Sequence, residues 1–141
     1  MTDQEDVEGS GQAATGTTDA MRATRLREIR NDILSNLGRH ALSIEGVASR
    51  YGISPGYVRQ LFAAQGTTFS KFVLEQRLNA ARAMLDDRRF ADRSIAAIAF
   101  EAGFGDLPSF NRIFRRRFGM RPSEARDGAG KEDQIRHGRS E

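Results

Sequence analysis

The chain has 141 residues, of which 38% are hydrophobic, and its formal net charge is +3. This length accommodates one modest domain or two very small ones packed together. The absence of cysteine excludes disulfides, thiolate metal sites and cysteine nucleophiles. No apolar run approaches the roughly 20 residues that span a bilayer, and the polar N-terminus lacks the apolar core of a signal peptide.

The positive charge is concentrated between the two ends of the chain. Residues 1–20 contain five acidic residues and neither lysine nor arginine, so we predict a disordered acidic leader there. Residues 127–141 are predicted to form a flexible tail. Residues 21–126 contain 19 basic and 10 acidic residues, and Lys71 is the one lysine among them. The planar guanidinium of arginine suits phosphates and guanine edges, but charge alone does not identify the partner.

The first element predicted after the leader is a helix from Arg22 to Leu37, ended by Gly38. Its apolar residues recur at helical spacing on one face: Leu26, Ile29, Ile33, Leu34 and Leu37.

A pair of short helices is predicted next, over residues 43–65. Ser43 begins the first helix, Gly52 lies in the turn, and Ser54 caps the second helix with Pro55 at its first position. The residues predicted to face inward are Ile44, Val47, Ala48, Val58, Leu61 and Phe62. The outward candidates on the second helix are Gly56, Arg59 and Gln60.

A single long helix is predicted over residues 68–86. At a rise of 1.5 Å per residue it is roughly 27 Å long. Successive major-groove faces of B-DNA are about 34 Å apart, so a rigid connector of this length suits two units that read neighbouring grooves.

A second pair of helices is predicted over residues 94–118. Ser94 caps the first helix, Gly103 and Gly105 mark the turn, and Asp106 caps the second helix, with Pro108 in its first turn. The second helix buries one stripe and leaves polar and basic residues on its other faces. The stripe contains Phe110, Ile113, Phe114 and Phe118. This pattern is typical of a helix-turn-helix, in which the second helix enters the major groove.

The two pairs of helices form an internal repeat. Six residues of the first pair match residues 51 positions later: Ser43, Ile44, Val47, Ala48, Gly52 and Ile53. After one residue is added in the turn, Val58, Leu61 and Phe62 match residues 52 positions later. Two helix-turn-helix patterns in register are difficult to explain by core packing alone. We therefore predict an all-α fold with two helix-turn-helix subdomains joined by a long linker helix.

No catalytic site is evident, so we predict that the chain is not an enzyme and uses no cofactor or metal. The stretch Gly128-Ala129-Gly130-Lys131 lacks the first glycine and the Ser/Thr of a P-loop. His40 and His137 are isolated, and His40 is predicted to lie at a helix end.

The chain from about Arg22 to Arg126 resembles the C-terminal DNA-binding domain of AraC/XylS-type transcription regulators. The most specific match is Ile98-Ala99, Gly103-Phe104, Phe110-Asn111-Arg112-Ile113-Phe114-Arg115, Phe118-Gly119 and Pro122. Tyr57-Val58, Leu61-Phe62, Gly66, Phe69, Arg77-Leu78 and Ala81 resemble the first half of the family pattern. The resemblance implies seven helices and an asymmetric site read by both recognition helices from one face of the DNA.

By position, the resemblance implies a set of base-contacting residues: Pro55, Gly56, Arg59, Gln60, Leu107, Pro108, Ser109 and Arg112. Arginine can span guanine O6 and N7, glutamine suits adenine, and Leu107 and Pro108 suit the thymine methyl group. Phosphate contacts are expected from a second set: Ser43, Ser54, Ser94, Asn111, Arg115 and Arg116. Gln60, Pro108, Ser109 and Ala125 depart from common family usage, so no known operator can be transferred.

The resulting prediction is a cytoplasmic, nucleoid-associated activator or repressor that binds double-stranded promoter DNA, without a membrane partner. RNA polymerase remains open as a second partner. The chain either acts as a monomer or is the C-terminal part of a longer regulator with its own dimerisation domain. The alternative is a protein-interaction module whose basic face docks an acidic partner.

Overall fold

The computed structural model describes the backbone of residues 2–128 and the side chains of residues 18–128. Over this range the regular elements are all helical. The α-helices are α1 (Thr2–Ser35), α2 (Ile44–Arg50), α3 (Pro55–Ala63), α4 (Phe69–Asp86), α5 (Ile95–Glu101), α6 (Leu107–Phe118) and α7 (residues 122–128), and a 3-10 turn spans Arg88–Phe90. The predicted all-α class and the seven helices are thereby confirmed. Within the described range, no helix is long and apolar enough to cross a membrane.

The predicted serine caps form as expected at three helices. The hydroxyl oxygens of Ser43, Ser54 and Ser94 each accept a hydrogen bond of 3.0 Å from the backbone N–H three residues later. Each bond satisfies one of the amides that the first turn of a helix leaves unpaired. Because α2 and α5 both have seven residues and begin 51 positions apart, the internal repeat is also confirmed.

The chain divides into two compact units. The first contains the chain up to Ser35 together with Ser43–Phe69, and the second contains Asn36–Leu42 and the chain from Ser70 onward. The buried apolar residues of the first unit are Leu26, Ile29, Ile33, Val47, Ala48, Val58, Leu61, Phe62 and Phe69. In this unit the hydroxyl of Tyr51 donates to the carbonyl oxygen of Glu28 at 3.1 Å, which fastens the end of α2 to α1.

The second unit has its own core, to which α4 contributes one face. The core residues are Leu78, Ala81, Leu85, Ile98, Ala99, Ala102, Phe104, Phe110, Phe114 and Ala125. The phenyl rings of α6 form a continuous row, with centroids 5.5 Å apart between Phe110 and Phe114 and 4.6 Å apart between Phe114 and Phe118. The predicted linker helix begins at Phe69 rather than Thr68, and apart from these two residues it is part of the second unit.

The first helix differs from its prediction at both ends. It begins at Thr2, although no regular structure was expected before Arg22. Extending an existing helix is less costly than nucleating a new one, which favours the longer helix. It ends at Ser35 rather than Leu37, and the segment Asn36–Leu42 joins the second unit. Leu34 is 47% exposed, so its expected burial was wrong; it lies about 100° around the helix from the buried Ile33.

Part of the predicted leader and tail lies outside the described residues. The side chains of residues 1–17 belong to this part, so the disorder predicted for the leader stays a prediction. At the other end, α7 includes residues 127 and 128 of the predicted tail, while residues 129–141, with the Gly-Ala-Gly-Lys stretch and His137, lie outside the described range.

Candidate nucleic-acid interface

In the first unit, α3 separates a buried face from an exposed one. Val58 and Phe62 are fully buried, whereas Gly56, Arg59 and Gln60 are exposed, as their spacing predicted. Pro55 occupies the first turn and is half-buried. Within the described part of the chain, the side chain of Arg59 makes no hydrogen bond or ion pair. Its guanidinium is therefore available to an external acceptor.

In the second unit, Asp106 begins α6 in the predicted manner. Its carboxylate accepts a hydrogen bond of 2.7 Å from the backbone N–H of Ser109. This bond, together with hydrogen bonding by the Ser109 hydroxyl and the nearby charge of Arg112, lowers the pKa of Asp106 below its ordinary value. The negative charge of Asp106 also interacts favourably with the positive end of the helix dipole, which lies at the start of α6.

The four predicted base-reading residues of α6 differ in their surroundings. Pro108 and Arg112 are exposed, and Leu107 is half-buried. Ser109 is half-buried, and its hydroxyl as well as its backbone N–H hydrogen-bonds to the Asp106 carboxylate, which reduces the freedom of its side chain to contact a base. Arg112 makes no ion pair within the described residues and has the reach and geometry for a guanine edge.

The predicted phosphate contacts fall into two chemical groups. Ser43, Ser54 and Ser94 use their hydroxyl oxygens as acceptors in helix caps, and each hydroxyl hydrogen remains as a donor for a phosphate oxygen. The second group is exposed on α6 and comprises Asn111, Arg115 and Arg116.

The third arginine of the Arg115–Arg117 run has a different role, which sequence reasoning missed. Arg117 forms an ion pair with Glu75 of α4, with a nitrogen–oxygen distance of 2.6 Å. Hydrogen bonding to Arg117 lowers the pKa of Glu75, although partial burial acts in the opposite direction. The pairing joins residues 42 positions apart, so no local pattern could have revealed it.

Arg77 fastens the segment after α1 to the second unit. Its Nε donates to the carbonyl oxygen of Leu37 at 3.0 Å, and a terminal nitrogen donates to that of Arg39 at 3.1 Å. Gly103 lies against this contact with a φ of +106°, and a Cβ there would come within 2.3 Å of the Leu37 oxygen. The sequence identified Gly103 as a turn residue but gave no sign of this close approach.

His40 lies among the residues whose side chains the structure describes, and its surroundings are structural. His40 lies in the loop after α1, not at a helix end as predicted, and its ring centroid is 4.4 Å from that of Phe100. Its Nε2 lies 3.1 Å from the Phe100 carbonyl oxygen, which accounts for this histidine structurally. In residues 18–128, no three His, Asp or Glu residues are grouped so as to hold a metal ion.

Two capped helix pairs, each presenting an exposed arginine on its second helix, define a protein with paired helix-turn-helix units. A profile for the helix-turn-helix domain matches residues 47–128, more than half of the chain. The crystal structure of an AraC-type transcriptional regulator from Chromobacterium violaceum is similar, with a TM-score of 0.70 and 32% identity over 78% of this chain and 96% of that one. The chain belongs to the AraC-type helix-turn-helix DNA-binding domain family, as its motifs had indicated.

Two further comparisons describe the relatives. The transcriptional activator RhrA of Rhizobium meliloti is 40% identical over 102 residues, which cover 72% of this chain and 32% of the activator. The chain thus spans about a third of the length of the curated relatives it matches. The DNA-binding domain of AdpA, solved in complex with a target DNA, shares the fold at a TM-score of 0.64 and 24% identity, over 73% of this chain and 90% of that one.

Proposed function

We propose that this chain is a sequence-specific DNA-binding transcription regulator that reads two adjacent major-groove segments, one with α3 and one with α6. The observation that carries the proposal is the repetition of one arrangement. Each unit has a capped second helix with an exposed arginine, Arg59 or Arg112, that has no ion-pair partner in the described part of the chain. Family membership supports DNA as the partner.

The side chains support a division between base reading and positioning. Arg59 and Arg112 each suit guanine, and a bidentate contact of this kind contributes about 1–3 kcal/mol of discrimination against a wrong base. Gln60 is exposed beside Arg59 and suits adenine. The capping serines and the arginines of α6 supply phosphate contacts, which fix register without reading sequence.

The proposal also covers RNA polymerase as a second partner and the oligomeric state in which the chain binds DNA. The matched relatives include transcriptional activators, and RNA polymerase is the partner that activation would require. The two units together form one asymmetric reader, so the chain binds as a monomer unless a longer protein supplies a dimerisation domain. Promoter binding would place the protein at the nucleoid, in the cytoplasm.

Selection from a random duplex pool tests the proposal directly. The full chain should enrich an asymmetric motif of two short boxes about one helical turn apart. The matched controls are Arg59→Ala, which should relax only one box, and Arg112→Ala, which should relax only the other. Weak, salt-sensitive binding without enrichment would refute sequence reading and favour a basic module that docks an acidic protein.

A further inference from the structure

We propose that a groove in the second unit binds one phosphodiester strand of the DNA, and that Arg121 contacts a phosphate there from outside the helix-turn-helix. This inference rests on the proposed function and extends it to residues that neither the helix-turn-helix pattern nor the recognition helix contains. The groove has a volume of about 570 Å³ and is formed by the start of α5, one face of α6 from Leu107 to Arg115, and the chain from Arg121 into the start of α7.

The groove has an apolar floor and a cationic rim. Ile95, Leu107 and Pro122 contribute the apolar surface, and Arg112, Arg115 and Arg121 contribute three guanidinium groups. Asn111 and Ser123 add neutral polar groups, and none of the lining residues is acidic. An occupant of this groove must therefore combine negative charge with apolar surface.

The rim arginines are available to bind an anion. The side chains of Arg112 and Arg115 make no hydrogen bond or ion pair within the described residues. Arg121 has one carboxylate neighbour, Glu124, at 3.7 Å, and the two side chains are 66% and 59% exposed. An ion pair this long and this exposed contributes little stability, so a phosphate can displace it at small cost.

The position of the groove selects a DNA strand as its occupant. Leu107 and Arg112 line the groove and are also predicted base readers, so the groove lies directly beside the face that reads bases. In a duplex, the sugar–phosphate backbone flanks the base edges of the major groove. Phosphate oxygens match the guanidinium rim, and the deoxyribose carbons match the apolar floor, where Ile95 and Leu107 are half-buried and Pro122 is buried beneath.

A salt titration with a matched arginine control tests Arg121. Arg89 is the control because it belongs to the same unit, carries the same charge, has one carboxylate partner and does not line the groove. Arg121→Gln should lower the slope of log affinity against log salt by about 0.9, equally for specific and random duplexes. The affinity lost should be about 3-fold larger at ~50 mM than at ~200 mM salt. Arg89→Gln should leave the slope at the wild-type value.

A chemical change in the DNA locates the contact. Replacing one phosphodiester at a time by a neutral methylphosphonate should weaken wild-type binding at one or two positions beside the box read by α6. At one of these positions Arg121→Gln should be insensitive to the replacement, while Arg89→Gln responds like the wild type. The proposal would be overturned if the two variants had the same slope of log affinity against log salt. It would also be overturned if Arg121→Gln were weakened by methylphosphonate at every position where the wild type is weakened. If inorganic phosphate at millimolar concentration binds at Arg121 but DNA affinity is unchanged in the variant, the groove is a small-anion site instead.

The outcomes also separate this inference from the proposed function. If pool selection yields a two-box motif but the Arg121 slope is unchanged, the groove assignment fails and sequence reading stands. If no motif is enriched but the slope falls, the groove binds backbone in a protein that does not read sequence.

Discussion

Arg117 and Glu75 join the recognition helix α6 to the linker helix α4 through a two-pronged ion pair. The Nε of Arg117 lies 2.9 Å from both carboxylate oxygens, and a terminal nitrogen lies 2.6 Å from one of them. The guanidinium also lies 4.9 Å from the ring centroid of Phe118, which Arg82 approaches to 5.1 Å on α4. Arg117 is thus committed to an internal contact, and only Arg115 and Arg116 of the run remain as phosphate candidates.

The pair predicts a pH-dependent contribution to stability. Because hydrogen bonding by Arg117 lowers the pKa of Glu75 in the folded state, the contribution is complete above the ordinary glutamate pKa near 4.5 and is lost as pH falls through the folded value. Glu75→Gln should therefore have a lower Tm than the wild type near pH 7, and the gap should close as the pH falls below the ordinary glutamate pKa and through the lowered pKa of Glu75. Asp92→Asn is the control, since Asp92 belongs to the same unit, is exposed outside the helices and has no ion pair in the described range. A gap that persists at low pH would contradict the assignment.

Replacing Gly103 should destabilise the second unit more than an ordinary turn substitution. At Gly103 a Cβ would lie 2.3 Å from the Leu37 carbonyl oxygen and 2.5 Å from the Arg77 Nε, whereas Gly52, with φ of +63°, has nothing within 4 Å. Gly52→Ala should cost about 1–2 kcal/mol of unfolding free energy from backbone strain. Gly103→Ala should cost at least about 1 kcal/mol more because of overpacking. Urea unfolding of the two variants measures the difference, and equal costs would show that the Leu37 contact yields freely.

Removing the charge of Asp106 while keeping its cap should strengthen binding to random DNA. Asparagine caps helices about as well as aspartate, so Asp106→Asn should retain the helix. The lost carboxylate lies near Arg112, where it opposes the approach of phosphates. We expect a higher affinity for random duplexes at low salt and an unchanged far-UV circular dichroism spectrum. Unchanged or weaker binding with an intact fold would place Asp106 away from the DNA.

Arg112→Ala tests base reading by α6. The variant should bind the best duplex about 1–3 kcal/mol more weakly and lose preference at one base position. Arg116→Ala is the matched control because it removes the same charge from an exposed position of the same helix. That control should weaken specific and random binding by the same factor. Affinity measurements on both duplexes distinguish the two, and uniform loss in Arg112→Ala would reduce its role to phosphate contact.

Deleting residues 1–20 should leave the packed domain intact. Among the described side chains of α1, which begin at Thr18, the first buried one is Leu26, and those from Thr18 to Thr24 are exposed. Thermal unfolding of the shortened chain should give a Tm close to that of the whole chain. A large fall would show that the predicted acidic leader contributes to the fold.

Much of the fold could be predicted from the sequence because the relevant signals are local. A serine or aspartate placed before an apolar run determines where a helix begins, as at Ser54 and Asp106. Apolar spacing determines which face is buried, as Phe110 and Phe114 show. The same spacing leaves Arg59 and Arg112 outside, and the resemblance to the family then indicated these two as candidate base readers.

The tertiary structure decided which residues meet across the chain. Arg117 pairs with a residue 42 positions away, and Arg77 bonds a carbonyl 40 positions away. Helical periodicity assigns a side chain to a face but does not specify what packs against that face. For that reason the sequence indicated phosphate contacts for Arg115 and Arg116 but gave no partner for Arg117. Only the packing of α6 against α4 paired Arg117 with Glu75, and only the fold of the chain after α6 placed Arg121 on the same groove as Arg112.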